Sequence, residues 1–485
     1  MVMDKLSILI ISSEAAPYAK TGGLADVAGS LPISLKALGH DVRVILPYYH
    51  ETKKNFPGLK PILEGIPVKI GKLNTAFTLY HDNRQGVDFY FIDKKAYYDR
   101  KCLYGTPSGD YPDNAVRFAF FCKAVLSSAR ALDFKPDIIH SNDWQSALVP
   151  FYLKIELKDD PFFRRAKSVF TIHNLAYQGV FPKRISHIVD IPNGFLTNEK
   201  LEFYGKLSYM KAGILYADII TTVSKGYAKE ILSEKFGCGL HHLLNLRKAD
   251  LYGILNGVDY ERWDPRNDKF IKVNYFSDSI ANKATCKLDL LEHVKFKGNP
   301  NLPLLGVITR LAWQKGVDIL TDCIDKLVEL NLNIVILGTG DKIYQNKLIR
   351  AARKYRSNLI VTIDFDNVLA HKIEAGSDIF VMPSRYEPCG LNQMYSLRYG
   401  TIPVVSAVGG LDDTIIDYDK DTEKGNGFKF HGAASKDLIG TVKRAIDIYN
   451  KEDEWNLLMK RCMELDFSWE RSANEYIKIY KTLRQ

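Results

Sequence analysis

Short apolar, β-branched runs alternate with helix-period segments through the first half of this chain, and the alternation restarts near residue 298. The first series is Leu6 to Ile11, Val42 to Leu46, Asp88 to Ile92, Asp137 to His140, Ser168 to His173 and Asp218 to Val223, with an amphipathic helix predicted over Ala115 to Leu132. After Gly298-Asn299-Pro300-Asn301 come Leu304 to Thr309, a helix to Leu330, Asn333 to Leu337, another helix, Leu359 to Ile363, Asp378 to Ser384 and Thr401 to Val408. Such runs suit strands buried on both faces, so the pattern predicts βαβ units and doubly wound sheets. At 485 residues the chain also exceeds what one core organises. The alternation lapses around Leu255-Asn256-Gly257-Val258-Asp259 and Trp263-Asp264-Pro265, which marks a junction. The predicted domains are 1–253, 254–463 and a docking helix within 464–485 that carries Tyr476, Ile479, Tyr480 and Leu483.

Composition narrows the function classes. A formal charge of +9, from 66 Lys and Arg against 57 Asp and Glu, is mild and not blocky, so it fits an anionic small substrate and does not establish nucleic-acid binding. The seven cysteines are scattered, with no C-x-x-C pair, which points to a reducing compartment and no structural zinc. The apolar run near the N-terminus passes at once into Ser12-Ser13-Glu14, without a signal-type cleavage site. No stretch approaches the roughly 18 apolar residues of a membrane helix. A cytoplasmic protein is the expectation, without membrane partner, metal or cofactor.

Between the first strand and a helix-period segment stands Lys20-Thr21-Gly22-Gly23-Leu24-Ala25-Asp26-Val27. Either the glycines make a tight turn, or they let backbone N–H groups approach an anion at a helix start, with Lys20 adding a full charge. The lysine precedes the glycines and no G-x-x-x-x-G-K-[ST] occurs, so P-loop hydrolysis is not expected. Pro32 within the following segment predicts a kink or an irregular first part, and Gly39 stands where the helix would end.

Ligands of open parallel sheets sit beyond the carboxyl ends of strands, so polar residues just after the apolar runs are informative. They include Asn142, Asp143 and Trp144; His173 and Asn174; Arg310 and Lys315; and Ser384-Arg385-Tyr386-Glu387-Pro388-Cys389-Gly390. Singly, each has a structural alternative: a satisfied buried histidine, a surface ion pair at Arg310, a helix cap at Glu387, a packing role for Cys389. Together, cations after two strands and a carboxylate after a third are what holding a diphosphate beside a reacting sugar requires. No D-x-D follows a strand as a metal-bound diphosphate would need, and Gly338-Thr339-Gly340 lacks the third glycine of a dinucleotide fingerprint. Tyr97, Tyr98, Tyr104 and Tyr111 either stack on sugar rings or cover the sheet edge. His241-His242 are expected at the surface and not as ligands.

These motifs carry a resemblance. The chain resembles bacterial glycogen synthase and plant starch synthase, retaining glycosyltransferases that extend an α-1,4-glucan from a nucleotide-glucose. The match runs nearly end to end: Ser13-Glu14, Lys20 to Val27, Tyr111 with Asp113-Asn114 and Arg117-Phe118, Asn142-Asp143-Trp144, Thr171 to Gly179, Leu255 to Asp259, Arg310-Leu311 with Gln314-Lys315-Gly316, Pro383 to Gln393, and Arg398 to Pro403. It implies a glycosyltransferase B fold, an α/β architecture of two Rossmann-like domains facing across a cleft. It implies ADP-glucose as donor and glycogen or a related glucan as acceptor.

By the same resemblance Lys20, Arg310 and Lys315 hold the diphosphate, Gly22 and Gly23 let their loop close over it, and His173 contacts the transferred glucose. Glu387, Cys389, Gly390, Leu391 and Asn392 resemble the strip that binds glucose hydroxyls and phosphate, and Gly340 is grouped with them. Glu14, Asp26, Asp143, Asn174 and Asn256 match further site positions, Asp143 among the catalytic ones. Three departures stand out. Tyr395, eight residues after Glu387, breaks the paired-glutamate pattern of sucrose- and trehalose-type synthases. Asn142 stands where many relatives carry histidine. Asp364-Phe365-Asp366-Asn367 replaces a more usual Gly-Tyr-Asp-Glu near the base, which leaves adenine against uridine open. Another retaining transferase, a glucan phosphorylase and a non-catalytic glucan-binding scaffold are the alternatives.

Overall fold

The computed structural model describes residues 5–106, 108–419, 421–422 and 424–484. The chain forms two compact units. The first comprises residues up to Val223, Ala228–Gly257 and the segment from Trp469; the second comprises Ser224–Tyr227 and Val258–Ser468.

The first unit is built on a nine-stranded sheet ordered Leu251–Gly253, Ile219–Thr222, Lys167–Ile172, Ile138–Asn142, Ser7–Ile11, Asp41–Pro47, Val87–Asp93, Leu73–Arg84 and Lys60–Ile70. Neighbours are parallel from Leu251–Gly253 as far as Val87–Asp93, as the alternation requires. Leu73–Arg84 and Lys60–Ile70 extend the sheet as an antiparallel pair that the sequence pattern did not single out. Pro61, Gly65 and Pro67 break its strand signature. They are tolerated because Lys60–Ile70 is the edge strand and its register shifts around Leu63.

The segment after Lys20 is one helix, Gly23–Ala37, with Pro32 in its interior and no break there. Leu31, Pro32 and Leu35 are buried, and this packing outweighs the hydrogen bond that a proline removes. Gly39 follows with φ +93°, as a helix stop requires. The last helix, Trp469–Thr482, adds Trp469, Ala473, Tyr476, Ile477 and Tyr480 to the core that contains Ile8, Ile10, Leu31, Leu35 and Val44. Tyr480 is fully buried, with its hydroxyl 2.7 Å from His140 Nδ1.

The second unit holds a six-stranded, wholly parallel sheet ordered Leu359–Thr362, Asn333–Leu337, Leu304–Ile308, Ile379–Met382, Ile402–Ser406 and Phe428–Phe430. Phe428–Phe430 is too short to carry a strand signal. The single helix expected up to Leu330 is two short ones, Val317–Thr321 and Ile324–Glu329. His241-His242, expected as surface residues, open a short helix, His241–Leu246. No helix among the described residues is long and apolar enough to cross a membrane.

The docking of Trp469–Thr482 is testable. Replacing Tyr480 by alanine should cost about 3–5 kcal/mol, the range for deleting a large buried aromatic, and phenylalanine distinctly less. Urea unfolding measures both. An unchanged midpoint for Tyr480→Ala would remove this helix from the first unit's stability.

Candidate active site

In the first unit, strand Ser7–Ile11 ends in Ser12-Ser13-Glu14. The Glu14 side chain is 3% exposed, and its carboxylate accepts from Thr21 N–H (2.5 Å), Thr21 Oγ1 (2.6 Å), Gly22 N–H (3.3 Å) and Tyr104 Oη (2.6 Å). The N–H groups of Thr21 and Gly22 therefore already hold an anion supplied by the chain, and Glu14 shapes the loop. Lys20 reaches Asp26 at 2.6 Å with 41% of its side chain exposed. Gly22 is extended, and a Cβ at Gly22 or Gly23 would meet nothing within 4 Å. Local packing does not demand these glycines, and the space over their backbone is open.

The next strands, Ile138–Asn142 and Lys167–Ile172, deliver Asn142, Asp143, His173 and Asn174. Asp143 is buried with φ +54°, a left-handed conformation that aspartate tolerates better than most residues and that concentrates at functional sites. Its Oδ1 accepts the His173 N–H at 2.8 Å. Burial pushes its carboxyl up to about 7 against the hydrogen bonds from the backbone of His173 and Asn174, with the Glu14 charge adding to the rise. Burial alone lowers His173 to about 3, so the ring is uncharged at neutral pH. His173 Nε2 lies 2.9 Å from Asn142 Oδ1. Asn174 Oδ1 accepts from Ala176 N–H in the following turn, and Asn256 is buried in the same unit.

The loop tyrosines are organised around the fully buried Arg117. Its guanidinium donates to Tyr97 O, Asn114 Oδ1 and Leu103 O, and it lies 5.1 Å from the Tyr111 ring. Tyr98 is buried with its hydroxyl on Arg117 O, and Tyr104 bonds Glu14 and Ser13. Covering and bracing, not sugar stacking, describes Tyr98 and Tyr104. Ring count pointed to the loop, but nothing in the sequence paired Tyr104 with Glu14.

In the second unit the adjacent strands Leu304–Ile308 and Ile379–Met382 lead to Arg310, Lys315 and Glu387. Gly316 has φ +65°, and a Cβ there would sit 1.8 Å from Pro383 O, so only glycine lets the 310–316 turn lie against the segment leading to Glu387. Lys315 Nζ meets Glu387 Oε2 at 2.6 Å, and Ser384 Oγ donates to the same oxygen at 2.9 Å. Glu387 is 5% exposed and engaged in this pair, so it does not cap the helix Asn392–Arg398. Arg310 is exposed and donates to Gln314 Oε1 at 3.1 Å.

The Gly338-Thr339-Gly340 turn braces this arrangement. Leu311 N–H donates to Thr339 O, Asp341 N–H donates to Leu311 O, and a Cβ at Gly340 would sit 2.4 Å from Leu311 O. Asn392 Nδ2 donates to Ile308 O, joining the two strand ends; Cys389 is buried, Gly390 has φ +72° and Leu391 precedes the helix. Tyr395 lies in the core, stacked 4.2 Å from Trp263, with His371 stacked on the same indole at 3.8 Å. Ser384 and Gln314, which hold Glu387 and Arg310, were visible only as members of motifs. Among the described residues no group of three or more His, Cys, Asp or Glu is placed to hold a metal ion.

The chain is similar to known proteins along nearly its whole length. Residues 7–246 match the family model "Starch synthase catalytic domain", and residues 291–456 match "Glycosyl transferases group 1". The glycogen synthase of Koribacter versatilis is 46% identical over 99% of both chains. That of Moorella thermoacetica is 48% identical over 98% of this chain and 96% of its own. The catalytic domain of starch synthase IV from Arabidopsis thaliana, solved with ADP and acarbose, superposes with a TM-score of 0.91 at 31% identity, covering 99% of this chain and all of that one. With its two Rossmann-like units and these relatives, the chain has the glycosyltransferase B fold and belongs to the glycogen synthase and starch synthase family of glycosyltransferases.

Proposed function

We propose that this chain transfers glucose from ADP-glucose to the 4-hydroxyl at the non-reducing end of an α-1,4-glucan, with retention of configuration. The observation that carries the reading is the Lys315 ammonium 2.6 Å from Glu387, at the ends of neighbouring parallel strands, in a chain whose full-length relatives are named glycogen synthase. The similar starch synthase domain solved with ADP supports an adenine nucleotide. Seven free cysteines support a reducing, cytoplasmic setting.

Charge separation assigns the roles. As the bond from glucose to diphosphate breaks, negative charge grows on the diphosphate and positive charge on the sugar. Cations on the diphosphate then stabilise the transition state more than the ground state. Arg310 and Lys315 fill that role, joined by Lys20, whose exposed pair with Asp26 is weak enough to exchange for a phosphate. The open backbone over Gly22 and Gly23 admits the phosphates, while Glu14 keeps the loop in shape. Glu387 orients glucose hydroxyls together with Cys389, Gly390, Leu391 and Asn392, and Gly340 acts through the Arg310 loop. His173 and Asp143 offer the sugar hydrogen-bonding groups of low charge; Asn174 and Asn256 complete that surface.

Two measurements test this. Purified protein incubated with glycogen should release nucleotide and lengthen chains faster with ADP-glucose than with UDP-glucose. The opposite preference would overturn the donor, and no transfer from either would overturn the reaction. Lys315→Ala should lower kcat on the order of 10²-fold or more, by analogy with losing one transition-state donor. Near-normal turnover would take Lys315 out of catalysis.

A further inference from the structure

Asn142 ends the strand Ile138–Asn142 and is buried. Its amide fits only one way round. Nδ2 lies 3.0 Å from Ile11 O on the neighbouring strand and 3.4 Å from His140 O, and both are carbonyls that can only accept. The NH₂ group therefore faces them, and Oδ1 is the atom 2.9 Å from His173 Nε2. An amide oxygen cannot donate, so the contact is a hydrogen bond only when Nε2 carries a proton. On an uncharged ring that leaves Nδ1 with the lone pair.

We propose that Asn142 is a positioning residue that fixes His173 as the Nε2-protonated, uncharged tautomer and so makes Nδ1 a hydrogen-bond acceptor for a hydroxyl of the transferred glucose. The last clause rests on the reading that His173 contacts that glucose. An amide does this where the obvious acceptors would not. Aspartate at 142 would hold the same N–H but favour the imidazolium, which has no acceptor nitrogen. The titratable groups around the ring are His140 on the Asn142 strand, itself lowered to about 3, and Asp143, whose carboxylate holds the His173 N–H and feels Glu14. His140 is in turn capped by Tyr480 and Thr171. None of these contacts replaces Asn142 at Nε2.

The test is imidazole ¹⁵N spectroscopy on histidine-labelled full-length protein, with His173→Gln to identify one signal pair among eleven histidines. The wild type should show His173 protonated at Nε2 and bare at Nδ1 from pH 6 to 8. Asn142→Asp should raise the His173 titration by about 1–3 pH units, as an adjacent opposite charge does. It should also add an acid limb to kcat that the wild type lacks. Asn142→Ala should leave the ring uncharged, lose the single tautomer and add no such limb. A wild-type His173 carrying its proton on Nδ1 would overturn the proposal without any Asn142 variant, as would an unmoved titration in Asn142→Asp. If the titration moves and the kcat profile does not, control of the tautomer stands and the contact between His173 and glucose falls.

Discussion

Parallel strand pairing is the constraint on which everything else depends. Strands that run the same way end on the same edge, so residues just past those ends collect without being neighbours in sequence. In the first unit the strands Ser7–Ile11, Ile138–Asn142 and Lys167–Ile172 lie side by side. Their ends bring Ile11 O to Asn142 and Asp143 to the His173 N–H, across separations of 131 and 30 residues. In the second unit the same edge brings Lys315 to Glu387 across 72 residues. An antiparallel arrangement of these strands would scatter the same side chains to opposite ends.

The charges on these edges are held in two ways. Glu14 and Glu387 are buried and tied by several donors, so each is fixed in place and costly to leave unpaired. Lys20 and Arg310 sit on exposed side chains, where water competes with every partner. Lys315, the cation that does meet Glu387, is partly buried with it. His173 and Asp143 follow a third rule, in which burial suppresses charge and leaves uncharged hydrogen-bonding groups past the strand ends.

Much of this was legible in the sequence, for definable reasons. Buried parallel strands are continuous apolar runs, so Leu304 to Thr309 and Asn333 to Leu337 were visible, and the polar residues after such runs marked Arg310, His173 and Glu387. The edge hairpin Lys60–Ile70 with Leu73–Arg84 was not, because edge strands accept prolines and glycines that otherwise read as breaks. Pro32 misled in the opposite direction, its helix being held by packing against the core. Partnerships across strands were beyond reach. Nothing in a linear pattern shows that Tyr104 reaches Glu14, that Tyr395 stacks on Trp263, or that Asn142 holds the His173 ring.

The central claim is that Arg310 and Lys315 are the diphosphate's cations, with Glu387 as a fixed neighbour that orients the sugar. A crystal structure of the protein with ADP-glucose bound tests it most directly. The account predicts diphosphate oxygens within hydrogen-bond reach of Arg310 and of Lys315 Nζ, with Glu387 still held by Ser384 and facing glucose hydroxyls. A diphosphate bound away from both cations, or a glucose covalently attached to Glu387, would contradict it.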